Sequence, residues 1–138
     1  MSRLPETLGL LVKRVQHANH RTLEAALAEA GLSLLKWNAL REIERNPGVS
    51  MHRLAALTFN SDQGFGALVA RLLRDGLVER REGAGRSLTH CLTREGAARF
   101  RKGEQIYFRV IEGAFSALSE DERQTLSRLL QKIVEAEP

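Results

Sequence analysis

The stretch Asn60-Ser61-Asp62-Gln63-Gly64-Phe65-Gly66-Ala67-Leu68-Val69-Ala70-Arg71-Leu72-Leu73-Arg74-Asp75-Gly76 decides how the rest of the chain is read. Phe65, Leu68, Val69, Leu72 and Leu73 recur at the three- and four-residue steps that gather apolar side chains on one face of an α-helix. Ser61 alone, or Asn60 together with Gln63, supplies an N-terminal cap, and Gly76 stops the helix. Ser61, Asp62, Gln63, Gly66, Ala67, Ala70, Arg71 and Arg74 are left for the other face. The segment therefore has one side to bury and one side to offer.

Upstream, Ser50 opens a short helix that turns Met51, Leu54, Ala55 and Leu57 inward. Thr58-Phe59-Asn60 breaks its pattern. Two short helices joined by a three-residue turn form a helix-turn-helix. Before it, Ser33 caps a helix carrying Leu34, Trp37, Leu40 and Ile43, closed by the turn signal Asn46-Pro47-Gly48. Farther upstream, one long helix runs from about Pro5 to Ala30, with Gly31 as its left-handed cap. Leu4, Leu8, Leu11, Val15, Ala18, Thr22, Ala25 and Ala26 make a stripe along it. A helix of about 25 residues spans almost 40 Å. Part of so long a stripe is expected to pack on something outside its own subunit.

Downstream, Leu77–Arg81 and Ser87–Leu92 have alternating apolar character and flank Glu82-Gly83-Ala84-Gly85-Arg86. This predicts a β-hairpin with a glycine-rich tip. Thr93 caps a long fifth helix, roughly Arg94 to Leu118, with a stripe of Phe100, Tyr107, Ile111, Ala114 and Leu118 and with Val110 and Phe115 beside it. Ser119-Glu120-Asp121-Glu122 is a capping box, and the sixth helix carries Leu126, Leu129, Leu130, Ile133 and Val134. The order is four helices, a hairpin and two helices. The expected fold is mainly α: a winged helix-turn-helix over residues 33–93, inside one compact domain whose residues 1–32 and 94–138 are helical.

Composition agrees. The chain has 138 residues, 43% hydrophobic and 28% charged, which suits one globular domain and excludes a disordered tail or a collagen-like repeat. No apolar run approaches the roughly 20 residues of a membrane span. The N-terminus lacks the apolar region of a signal peptide, and a single cysteine, Cys91, rules out an internal disulfide. A cytoplasmic protein is expected. The formal net charge is +4, and residues 51–100 are the most basic part, with eight basic and five acidic side chains. That balance permits a polyanion partner without requiring one.

A helix-turn-helix places its second helix in the major groove, with the N-terminal residues nearest the base edges. Ser61, Gln63, Gly64, Ala67 and Arg71 are the candidate DNA-facing residues, with Gln63 able to read adenine through its amide. Asp62 would repel phosphate, so it caps the helix, accepts from a cytosine amino group or points away. Gly64 and Gly66 each cost up to about 1 kcal/mol inside a helix, to be explained by close approach to DNA or by tight packing. Arg86 at the wing tip is the candidate for the minor groove. Arg53, Arg80 and Arg81 are phosphate candidates or plain solvated charges.

At this point the chain resembles the MarR-type (multiple antibiotic resistance regulator) family of winged helix-turn-helix transcriptional regulators. The resemblance covers nearly the whole chain. It rests on Leu34–Leu40 followed by Asn46-Pro47-Gly48, on Leu54-Ala55, and on Leu72–Arg80 with its Gly76-Leu77-Val78-Glu79-Arg80. It rests also on Leu92-Thr93-Arg94-Glu95-Gly96 and on Ser119–Leu130. It implies a homodimer built from the first, fifth and sixth helices, acting on double-stranded DNA at a pseudo-palindromic operator, usually as a ligand-released repressor. It departs at the wing, where the family's Asp-x-Arg is Ala84-Gly85-Arg86 and the tip is about two residues short. It departs also at Gln63, Gly64 and Ala67, where the family usually has Ser, Thr or Arg. Binding is therefore expected to lean more on phosphate contacts and wing shape.

The resemblance also implies a small organic effector in a cleft beneath the dimer helices, for which Trp37, His17, His20 and Tyr107 are candidate lining residues. Peroxide-sensing relatives use a cysteine near the start of the first helix, and none stands there. Cys91, on a wing strand, reads as a small half-buried hydrophobe. His17 and His20 lie on one helix face near Glu24, yet such a pair is more often polar surface than metal site, and no metal or cofactor is expected. No nucleophile elbow, zinc-protease motif, phosphate loop or dinucleotide fingerprint occurs, so an enzyme is not expected. The remaining alternative is a winged helix used only for protein contacts, without DNA affinity.

Overall fold

The structure, a computed structural model, describes residues 2–82 and 88–137. Helix α1 runs Leu4–Leu27 and tightens into a 3-10 turn over Ala28–Ala30, ended by Gly31 at φ 69°. Helices α2 (Leu34–Arg45), α3 (Met51–Leu57) and α4 (Asp62–Arg74) follow. Strands β1 (Val78–Glu82) and β2 (Leu88–Leu92) pair antiparallel, with Val78 opposite Leu92 and Glu82 opposite Leu88. Helices α5 (Arg94–Ala114) and α6 (Glu120–Glu135) complete the chain. The expected order of elements is therefore present. The hairpin tip, residues 83–87, lies outside the described residues, and the assignment of Arg86 lies there with it.

The polar punctuation acts where the sequence places it. The hydroxyls of Ser33, Ser50, Ser61, Thr93 and Ser119 each accept from the backbone N–H three residues on. At α6 the reciprocal bond is also made: Ser119 N–H donates to Glu122 Oε1 at 2.9 Å. That bond, with its partner from the Ser119 hydroxyl, holds the Glu122 carboxyl below the usual carboxylate range.

The core gathers Leu23, Leu27, Trp37, Leu40, Ile43, Leu54, Phe65, Leu68, Leu72, Leu77, Phe100 and Ile106 from α1 to α5. Trp37 is its pivot. Its indole stacks on Tyr107 at 4.7 Å, tilts against Phe100 at 5.7 Å and donates Nε1–H to the Phe100 carbonyl at 3.2 Å. The Arg41 guanidinium stands 5.0 Å from the same ring.

Part of the α1 stripe stays open within its own subunit, as expected of so long a stripe, while the residues that α1 buries and the end of α5 are revised. On α1 the chain buries Leu23 and Leu27, while Leu4, Leu8, Leu11 and Val15 of the stripe stay about half exposed. The two sets occupy different faces, since each residue advances about 100° around the axis. Helix α5 ends at Ala114 rather than Leu118: Phe115, Ser116 and Leu118 donate to Ile111, Gly113 and Phe115, closing a turn that lets α6 begin at Glu120. Its buried residues are Gly96, Phe100, Gly103 and Ile106, so Ile106 belongs to the inward face that the stripe reading missed.

Candidate nucleic-acid interface

Helix α4 separates its two faces cleanly. Phe65, Leu68, Val69 and Leu72 are buried; Ser61, Asp62, Gln63, Gly64, Ala67, Ala70, Arg71 and Arg74 are exposed. The structure thus brings Ser61, Gln63, Gly64, Ala67 and Arg71 together along the outward side of one helix. The Ser61 hydroxyl accepts from Gly64 N–H at 3.0 Å and fixes the first turn. A methyl at position 64 would meet that hydroxyl oxygen at 3.0 Å, whereas one at 66 would meet nothing. Crowding of the cap favours glycine at 64. Tight packing does not explain Gly66.

Asp62, at the first position of α4, neither caps nor points away. His52 Nδ1 of α3 lies 2.9 Å from both of its carboxylate oxygens. This pair joins the two helices of the helix-turn-helix at the end nearest the expected DNA. Sequence reasoning missed it, because a contact across a turn, ten residues apart, follows no helical or strand period.

At the other end of α4, Ala67, Ala70, Arg71 and Arg74 face Val78, Glu79 and Arg80 of β1 across an open groove. Among the described residues, no carboxylate oxygen lies within ion-pair distance of Arg53, Arg71, Arg74 or Arg80. Arg81 differs: its Nη2 reaches Glu79 Oε1 at 3.4 Å. Asp75, which ends α4, is taken by Lys36 of α2 at 3.0 Å, and that hydrogen bond and charge lower its pKa from the usual carboxylate value. Asp62, Asp75 and Glu79 are thus engaged with named partners, while the guanidiniums of Arg53, Arg71, Arg74 and Arg80 have no ion-pair partner among the described residues.

The wing is fastened at its base. Thr93 donates its hydroxyl to the Gly76 carbonyl at 2.6 Å and its N–H to the Leu77 carbonyl at 3.0 Å. Gly96 lies against that same Leu77 carbonyl so closely that any Cβ would collide with it. On the strands, burial, followed by the charge of Arg80, lowers the pKa of His90 below the ordinary histidine value. Burial likewise pushes the Cys91 thiol up, and its nearest polar neighbours are the Glu79 carbonyl and carboxylate, at 3.9 and 3.6 Å. A thiol whose anion is disfavoured is a poor nucleophile and a poor oxidant sensor.

The candidate effector residues separate into two groups. Trp37 and Tyr107 are stacked, with Trp37 only 2% exposed and Tyr107 half-buried above it. His17 and His20 stand on the exposed part of α1 and make no hydrogen bond or ion pair among the described residues.

A sequence profile described as the MarR family matches residues 30–87. The HTH-type transcriptional regulator BilQ of Clostridium symbiosum is 34% identical over 113 residues, covering 80% of this chain and 78% of that protein. A crystal structure of a MarR family protein of Mycobacterium tuberculosis in complex with DNA superposes with a TM-score of 0.77 at 25% identity, covering 91% of this chain and 96% of the other. The same Mycobacterium tuberculosis protein in complex with p-aminosalicylic acid gives 0.77 at 28%, covering 91% and 97%.

Proposed function

The chain belongs to the MarR family of transcriptional regulators, and from that premise we propose which of its residues engage DNA and how. Two copies pair through α1, α5 and α6 and set their α4 helices about one DNA turn apart on a pseudo-palindromic operator. Gln63 reads a base edge. Ser61 and Gly64 hold the helix start close to the duplex, and Ala67 allows the backbone to approach. Arg71, Arg53 and the wing's Arg86 supply charge to phosphate or to the minor groove. Residues 33–93 do this work, and residues 1–32 with 94–138 form the dimer frame. The protein acts by occupying DNA in the cytoplasm and has no reaction to catalyse.

The observation that carries this reading is the outward side of α4. It carries polar and small residues, it starts from a fixed cap, and the guanidiniums of Arg53, Arg71, Arg74 and Arg80 have no carboxylate partner among the described residues. The Mycobacterium tuberculosis relative was solved with p-aminosalicylic acid, and a small organic effector is proposed here too. It would lie beneath the dimer helices, with Tyr107, His17 and His20 toward it and Trp37 supporting Tyr107 from below.

The test is titration of the protein with short duplexes tiled across the DNA upstream of its own gene, repeated across salt. Sequence-preferring binding whose log K falls linearly with log[salt] is expected, each neutralised phosphate adding about 0.9 to the slope. A folded dimer that binds no duplex at low salt would instead leave a protein-contact module.

A further inference from the structure

Phe59, in the turn between α3 and α4, is held in a conformation and an environment that both disfavour phenylalanine. Its φ is 58°, and it is the one non-glycine residue with positive φ among the described residues. A bulky side chain in this region is a genuine outlier, whereas glycine or asparagine accepts it readily. Its ring is 98% exposed.

The turn leaves the residue no freedom to relax. Phe59 N–H donates to the Ala56 carbonyl at 3.1 Å and Asn60 N–H to the Ala55 carbonyl at 2.9 Å. The Asn60 amide donates to the Thr58 carbonyl and hydroxyl, at 3.1 and 2.9 Å, and the Thr58 hydroxyl donates to the Leu54 carbonyl at 2.8 Å. Both neighbours of Phe59 are thus tied back to α3 while its ring is held away from the protein. The hydrogen bonds of the turn hold the strained backbone, and among the described residues no burial of the ring accompanies them. Strain of this kind persists at sites that serve a partner.

Position and surroundings select the partner. Phe59 is two residues before Ser61, so its Cα lies within about 8 Å of the α4 cap, the end that meets base edges. The nearby exposed side chains are polar or charged, His52, Arg53, Ser61, Asp62 and Gln63, apart from the single methyl of Ala56. The other exposed large hydrophobics lie on α1, α6, Leu35, Leu88 and Phe108, and none is on α3 or α4. A protein-binding surface would present a contiguous apolar patch. One aromatic ring among polar groups at a groove edge matches DNA, where thymine offers a single apolar methyl group.

We propose that Phe59 packs against the 5-methyl group of an operator thymine and so reads a base that the polar face of α4 does not. The proposal rests on the DNA-binding function above. Its test uses Phe59→Asn, with Phe59→Gly as a second variant, because both residues suit the backbone at this position. Each is measured for thermal midpoint and for binding to the tightest upstream duplex, with thymines replaced one at a time by deoxyuridine.

The variants should melt at or above the wild-type temperature yet bind about tenfold more weakly, with an unchanged salt slope, since no phosphate contact is lost. One deoxyuridine should weaken the wild type about fourfold, the worth of one buried methyl, and leave the variants unaffected. Variants that bind as tightly as wild type, or that lose affinity while keeping the wild-type response to deoxyuridine at every position, overturn the proposal. A wild type that binds no duplex removes the DNA-binding reading itself.

Discussion

Gly103 of α5 lies flush against the Trp37 indole of α2: a methyl at position 103 would stand 2.6 Å from Nε1 and 3.3 Å from Leu27 Cδ2. Phe100 and Tyr107, one turn before and one turn after on the same helix, hold the other parts of the ring. The absence of one side chain therefore lets α5 seat against the helix that precedes the helix-turn-helix.

Gly103→Ala is expected to destabilise the fold. Alanine gains up to about 1 kcal/mol in helix propensity. The new methyl, however, lands on rigid ring atoms in a fully packed core, and overpacking of this kind costs about 1–3 kcal/mol. Chemical unfolding should show a lower midpoint with an unchanged m-value. A midpoint at or above wild type would mean that α5 can shift away from the indole.

Gln63 and Arg71 should fail differently when cut to alanine. Gln63→Ala should cost about 1–3 kcal/mol on the preferred duplex and little on others, flattening the sequence preference at one base pair. Arg71→Ala should weaken every duplex alike and reduce the salt slope by about 1 per subunit. Competition titrations against a scrambled duplex at several salt concentrations separate the two. Identical losses from both variants would refute the division between reading and anchoring.

Acid should lower the stability of the fold over two successive pH ranges. Burial keeps the His90 pKa below that of a free histidine, so the unfolded chain takes up the proton first, and stability falls as pH drops through the ordinary histidine range. Asp75 and Glu122 have lowered pKa values, so what they contribute is present above the ordinary carboxylate range and is lost as pH falls through that range and below. In melts across pH, His90→Gln should flatten the first fall and Asp75→Asn part of the second. A first fall that survives His90→Gln would have to come from another histidine.

Most of the scaffold was legible because its signals are local. Five Ser or Thr caps, the Asn46-Pro47-Gly48 turn and the α4 repeat act within a few residues of themselves. What was not legible is set by contacts far apart in the chain. Gly103 reads as a poor helix residue until Trp37, from another helix, is placed against it. Ile106 lies beside the expected stripe, one turn after Gly103, and is buried only because α5 packs on α1 and α2 along that side. His52 and Asp62 meet only once the turn between α3 and α4 is folded. Phe59 looked like a break in a pattern, and only its φ and its exposure reveal that it is held outward.

The single chain leaves apolar faces of α1 and α6 uncovered. Leu4, Leu8, Leu11 and Val15 on α1 are 48–60% exposed, and Leu129, Leu130, Ile133 and Val134 on α6 are 43–63% exposed. No residue of α6 is buried, although its side chains are as regularly amphipathic as those of α4. Between α6 and the end of α5, a cleft lined by Phe115, Leu126, Leu130 and Val134 stands open. An amphipathic helix with nothing against its apolar side has little to hold it, since helices owe most of their stability to packing. A second copy presenting the same faces would cover both. Ile133→Asp should therefore shift the protein to monomer in sedimentation while leaving the core around Trp37 folded by near-UV circular dichroism. Operator affinity should fall by about a hundredfold or more, because two linked half-site contacts become two independent ones. A variant that stays dimeric and binds normally would place the interface elsewhere, and a wild-type monomer would leave the hydrophobic side of α6 to a different partner.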